Sequence, residues 1–194
     1  MPLQDFIFYF KLGWAHIISA DALDHQLFIL ALVAIYSYVN LKQVLILVTA
    51  FTIGHSFTLL LSVLDVIRFD SKWVEFLIPC TIVITAISNL FRKNFSLKSI
   101  KINYFLALGF GLIHGMGFAN SIRIMLAKDQ QIGWGLFGFN LGLEAGQVFM
   151  VIIILLITFL IFNYTRIKRM SWVLFISAAV FSLALKMALE RIPF

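Results

Sequence analysis

HIISADALDHQLFILALVAIYSYV, residues 16–39, sets two histidines and two aspartates directly against a run that is almost wholly apolar. Whether that run packs inside a soluble core or faces lipid is decided by the rest of the chain. Hydrophobic residues make up 62% of it and charged residues only 12%, with a mean hydropathy of +1.01. A soluble domain is closer to half apolar and a quarter charged. The excess has to face hydrocarbon. No long polar stretch interrupts it, so residues 1–194 read as a single transmembrane domain without a soluble module.

A helix needs roughly 20 residues to cross a bilayer core of about 30 Å. Apolar runs at about 22–40, 43–65, 73–91, 102–122, 134–163 and 170–188 approach or exceed that length. Open strands cannot span lipid, because their backbone groups would lack partners. The expected fold is therefore all-α: a polytopic membrane protein with six transmembrane helices in one bundle. MPLQDFIFYFKLGW, residues 1–14, has no basic region ahead of its apolar residues and no small-residue cleavage site after them. Its aromatic density (Phe6, Phe8, Tyr9, Phe10, Trp14) predicts an interfacial N-terminal segment, not a removable signal peptide.

Six spans put both termini on one side. The opposite loops hold Lys42, then Arg92, Lys93, Lys98 and Lys101, then Arg166, Lys168 and Arg169, and no acid. Basic loops stay cytoplasmic, which predicts extracytoplasmic termini. The net charge of +6 comes from such short membrane-flanking clusters, so no nucleic-acid partner is expected. The single cysteine, Cys80, lies within an apolar run and reads as packing; one thiol forms no intramolecular disulfide.

All four histidines sit in or beside apolar runs. His55 and His114 each lie about twelve residues into helices running the same way, roughly 18 Å along at 1.5 Å per residue. Glu144 lies on a descending helix, seven to ten residues below its outer end, and is expected near their depth. His16, Asp24 and His25 flank the outer end of the first span. Each group alone has a bland explanation: an interhelical hydrogen bond for a histidine, a protonated carboxyl for Glu144. Together they are harder to dismiss, since a charged side chain near the bilayer centre costs at least ~2.5–3.5 kcal/mol. A shared divalent cation offsets the carboxylate and takes imidazole nitrogen directly. The expected metal ligands are His16, Asp24, His25, His55, His114 and Glu144. Asp21, Ser56, Asn120, Asn140 and Gln147 form a surrounding polar shell. Nitrogen and oxygen donors without thiolate fit Ni²⁺ or Zn²⁺ better than Cu⁺.

Four motifs, in order, also carry a likeness. The Asp24-His25 entry to the first span, FTIGHSFTLLLS around His55, FGLIHGMGFA around His114 and FNLGLEAGQ around Glu144 resemble the HupE/UreJ family of small bacterial membrane proteins. That resemblance implies hydrogenase or urease accessory functions, nickel permease-like metal handling and an inner-membrane location. The family's entry segment is closer to His-x-x-x-Gly-x-Asp-His. The stretch here is two residues longer and lacks the glycine, so the likeness carries over Asp24 and His25 but not His16 or Asp21 individually.

Three functions fit these residues. The preferred one is transport or delivery of a divalent metal ion, with Asp21 and Asp24 capturing it outside. Against a simple permease, the stretches beneath the histidines, QVLILVTAF (43–51) and VFMVIIILLI (148–157), are very apolar. The alternative is an intramembrane metal-dependent hydrolase acting on a lipid or lipidated substrate, with Glu144 or Asp24 as general base. The third is a structural accessory subunit in which the metal holds helices together.

Overall fold

The computed structural model describes the backbone of residues 2–92, 100–126 and 132–194, and the side chains of 3–92, 103–118 and 133–194. Its regular structure is helical: α1 (Pro2–Ile18), α2 (Leu23–Val33), α3 (Leu41–Val63), α4 (Ser71–Leu90), α5 (Ile100–Leu126), α6 (Ile132–Tyr164) and α7 (Arg169–Glu190). Single 3-10 turns occupy Ala20–Ala22 and Tyr38–Asn40, and no strand occurs among the described residues. This is the all-helical membrane architecture that the composition demands.

The six-span expectation changes at its start. Among the described residues, four helices are long and apolar enough to cross a bilayer: α3 with its preceding turn, α4, α6 and α7. They become five if α1 and α2 count as one bent span. The 27-residue α5, whose side chains are described only over 103–118, is outside that tally.

The stretch 22–40 is not one helix. With 11 residues, α2 is about 16 Å long, too short to cross alone. It stops because polar groups intervene: the Ser37 backbone N–H donates to Asn40 Oδ1 at 3.4 Å, and the Arg169 guanidinium donates to the Ile35 carbonyl at 2.6 Å. Hydropathy stays high through Ala34, Ile35 and Tyr36, so it does not register the break. Nor does the N-terminal segment lie apart as an interfacial strip. It forms α1, packs lengthwise on α6 and bends by 58° into α2. Its aromatic residues divide, with Tyr9 buried and Phe8 exposed, which composition does not reveal.

Gly13 lets α1 approach α6 so closely that a Cβ there would overlap the Phe139 carbonyl; Gly142 stands likewise against the Phe10 carbonyl. On the second seam, Gly111 and Gly115 of α5 meet the carbonyls of Phe51 and His55 on α3. Small residues permit such backbone approach in membranes. Gly138, Gly142 and Gly146 of α6 stand in order against Phe6, Phe10 and Trp14, and Gly111 and Gly115 of α5 against Phe51 and His55, so α1 runs parallel to α6, and α3 to α5. Between the seams, Tyr38 meets Phe159 at 5.2 Å and His55 meets Phe139 at 6.4 Å, which makes α3 antiparallel to α6.

The outer pair, α4 and α7, is antiparallel, with Trp73 against Phe194 at 6.1 Å. An Asp70 cap, accepting from the Lys72 backbone N–H at 2.9 Å, starts α4. In the midst of these helices sits α2. Leu27, Phe28, Ile29, Ala31, Leu32 and Val33 are all buried, as expected of a helix apolar on every side.

Glycine costs a helix interior roughly 0.5–1 kcal/mol relative to alanine, so two glycines of α5 predict opposite outcomes. A Cβ at Gly109 meets nothing within 4 Å, whereas one at Gly111 overlaps the Phe51 backbone. Gly109→Ala should raise the thermal midpoint in detergent slightly, and Gly111→Ala should lower it sharply. A Gly111→Ala protein as stable as the parent would remove the α3–α5 seam from the account.

Candidate metal centre

The last turn of α1 carries His16, the first turn of α2 carries Asp24 and His25, and the middle of α3 and of α5 carry His55 and His114. The bend between α1 and α2 decides whether the first two imidazoles meet. It is held by Gln26, whose side-chain amide donates to the carbonyls of Ser19 at 2.8 Å and Ile17 at 3.2 Å. The Ile17 carbonyl belongs to the last turn of α1, where α-helical partners run out, and the Ser19 carbonyl also accepts the Ala22 N–H at 3.0 Å. The α3–α5 seam sets the other two, since Gly115, next to His114, packs on the His55 carbonyl.

The four rings form one cluster. Ring centroids lie 4.6 Å apart for His16–His25, 5.2 Å for His25–His114, 6.0 Å for His16–His55 and 6.1 Å for His25–His55. One ligand-capable nitrogen from each of His16, His25 and His55 lies within 4.8 Å of the others. His55 is 0% exposed, His114 1% and His25 4%.

The outer groups fix the ring orientations. His25 Nδ1 lies 2.9 Å from Asp24 Oδ1, and His114 Nδ1 lies 2.9 Å from the Phe110 carbonyl oxygen. A carboxylate and a carbonyl only accept, so Nδ1 donates in both and Nε2 keeps its lone pair. Those Nε2 atoms are buried without a hydrogen-bond partner, as are His16 Nε2 and both nitrogens of His55. Leaving a buried polar group unpaired costs about 1–3 kcal/mol. Several such groups converging on one spot fit a bound cation. An all-imidazole donor set suits borderline transition metals and not Mg²⁺ or Ca²⁺.

Two aromatic pairs wall the cluster. Phe28 stacks on Phe51 at 4.8 Å, with His114 5.0 Å from Phe51; Phe118 stacks on Phe139 at 5.2 Å, with His16 4.1 Å from Phe118. The first pair closes the side toward the start of α3. The opposite side opens into a cavity of about 270 Å³, lined by His16, Asp21, Asp24, His25, His114, Glu75 and Arg191 among others. Arg191 Nη1 stands 3.8 Å from Asp24 Oδ2.

Of the expected ligands, His16, His25 and His55 are thus gathered and His114 adjoins them. Asp24 is turned to other work: it holds His25 through both the ring and the backbone N–H, the latter at 2.8 Å. Glu144 is not in the cluster. Its carboxylate accepts from Thr49 Oγ1 at 2.7 Å. The residue of α6 that faces His55 is Phe139, and Glu144 is five residues further on, about 7.5 Å along the axis. Depth counted from the edge of an apolar run misplaces it, because α6 is 33 residues long and does not start at the histidine level.

In the outer shell, Asp21 lines the cavity and Gln147 accepts from Thr52 at 2.7 Å. Ser56 is half-buried and outside the cavity lining, Asn140 has a buried Oδ1 without a partner, and the Asn120 side chain lies outside the described residues. Sequence reasoning missed Gln26, Glu75 and Arg191. The last two are ordinary charges at helix ends by sequence, and only the packing of α4 and α7 turns them toward one mouth.

No curated protein and no solved structure matches the chain. A family model described as HupE / UreJ protein matches it over residues 1–191. With the three motif histidines, His25, His55 and His114, drawn into one cluster with His16 and the match spanning nearly the whole chain, this membrane protein belongs to the HupE/UreJ family.

Proposed function

We propose that this protein captures a divalent transition-metal ion, Ni²⁺ or Zn²⁺, through its open cavity, holds it on the buried histidines and transports or delivers it. The observation that carries this reading is the convergence of partnerless imidazole nitrogens from four helices. Asp21, Asp24 and Glu75 at the cavity give an arriving cation a favourable approach. His16, His25 and His55 are the ligands, His114 supplies a fourth imidazole, and Asp24 and the Phe110 carbonyl orient two of them. The reading further takes the chain as one domain of the bacterial inner membrane, with the cavity mouth and both termini extracytoplasmic. In its support, Arg169 lies at the end of α7 away from the mouth, beside Arg166 and Lys168.

The aromatic floor favours a second reading. A site closed by Phe28 and Phe51 and open to a polar cavity also suits an intramembrane metal-dependent hydrolase acting on a lipid or lipidated substrate. There a bound metal would lower the pKa of a water toward ~7, with Glu75 the carboxylate at hand. Ni²⁺ or Zn²⁺ uptake into sealed proteoliposomes, without release of product from lipid esters or amides, upholds the first reading; turnover without uptake replaces it with the second. Bound metal with neither leaves a structural accessory subunit.

His16→Ala, His25→Ala and His55→Ala should each abolish stoichiometric metal in the purified protein, measured by elemental analysis. Full occupancy in all three would end the ligand assignment. Asp24→Asn should weaken affinity by about 10–100-fold while leaving the helical circular dichroism unchanged; an unaltered affinity would mean that the carboxylate does not orient His25. On a Cys80→Ser background, Arg166→Cys should react with an impermeant thiol reagent only after intact cells are opened. Labelling of intact cells would invert the orientation.

A further inference from the structure

Below the histidines, the α3–α6 interface is not uniformly apolar. Thr52 Oγ1 donates to Gln147 Oε1 in the buried part of the interface and Thr49 Oγ1 to Glu144 Oε1 at its exposed edge, each at 2.7 Å, and because the helices are antiparallel these two bonds cross. Asn140, Glu144 and Gln147 follow a four-then-three spacing on one face of α6, as His55, Thr52 and Thr49 follow threes on α3. The Asn140 Oδ1 is buried and has no partner. Among the described residues no cationic side chain pairs with Glu144. An acid within a membrane helix is costly and as a rule stands on an ion pathway or beside a partner. Here the partner is a hydroxyl, which does not balance a carboxylate's charge.

We propose that Glu144, Thr49, Asn140 and Gln147 form a second cation station, oxygen-lined, that takes the divalent ion after it leaves the histidines. This rests on the transport reading above and names the next step of its route. Thr49 lies six residues from His55, about 9 Å along α3, so one displacement carries the ion from one set of donors to the other. The two donor sets differ in strength. Imidazole nitrogen holds Ni²⁺ and Zn²⁺ more firmly than carboxylate and amide oxygen does, so the first station captures and the second, weaker one releases. The charge of Glu144 compensates the ion at the point where it loses four imidazoles. The route runs between α3 and α6 and leaves the Phe28–Phe51 floor intact.

The test uses the full chain with Ni²⁺ as the probe. Equilibrium dialysis of the parent should give one tight ion and a second, weaker one, and proteoliposomes should take up the metal. Glu144→Gln should keep the tight ion, lose the weak one and slow uptake by about tenfold or more, as expected for losing a charge-assisted contact. Thr49→Val should act in the same direction. Thr158→Val, whose hydroxyl bonds only within its own helix to Ile154 at 2.8 Å, should transport as the parent does. Unchanged uptake by Glu144→Gln, survival of the weak ion, or loss of the tight ion along with the weak one each overturns the second station while leaving the histidine centre standing. A parent that binds the tight ion but carries none inward overturns the transport reading and the station together.

Discussion

Backbone contact at glycine governs the geometry of this protein. Where a Cβ would overlap a neighbouring carbonyl, as at Gly13, Gly111 and Gly142, two helices are locked in register as well as in proximity. A larger residue at any of these positions would drive its side chain into the same backbone. The α3–α5 seam therefore fixes His55 relative to His114, and the α1–α6 seam fixes the end of α1, and with it His16, relative to Phe139. In a bilayer the hydrophobic effect does little to bring helices together, so this close van der Waals fit carries the assembly.

Register alone does not aim an imidazole. The remaining control comes from acceptors placed behind the rings, the Asp24 carboxylate for His25 and the Phe110 carbonyl for His114. Each holds the proton on Nδ1 and leaves Nε2 turned toward the cluster. The bend held by Gln26 serves the same end, because a straight helix through residues 2–33 would carry His16 and His25 along one axis and not fold them against each other. Broken helices are tolerated at membrane depth where protein encloses the break or lines a cavity, and most of α2, from Leu27 to Val33, is buried or half-buried.

The centre is asymmetric. Toward the cavity it meets carboxylates and Arg191; toward the start of α3 it meets stacked phenylalanines. One face is open and polar, and the other is closed by the Phe28 and Phe51 rings. Further polar pairs lie along the α3–α6 interface, Thr52–Gln147 buried within it and Thr49–Glu144 at its exposed edge.

Sequence alone determined the solvent and the ingredients: 62% hydrophobic residues compel a helical membrane fold, and histidines embedded in apolar runs announce chemistry because burying them without partners is costly. Asp24 and His25 are adjacent in the sequence, which made Asp24 an expected ligand, and only the fold shows its carboxylate accepting from the His25 ring. What only the tertiary structure decided is which of these groups share a depth and a face. The break after Val33 and the bend before α2 hinge on a few hydrogen bonds, accepted by Asn40 and donated by Arg169 and Gln26, which leave no trace in hydropathy. An offset of a few residues along α6 then moves Glu144 by a full turn and puts Phe139 opposite His55. Periodicity constrains the face of a helix, but the axial position that brings distant side chains within a metal's reach is set by packing between helices, and that depends on contacts far apart in the chain.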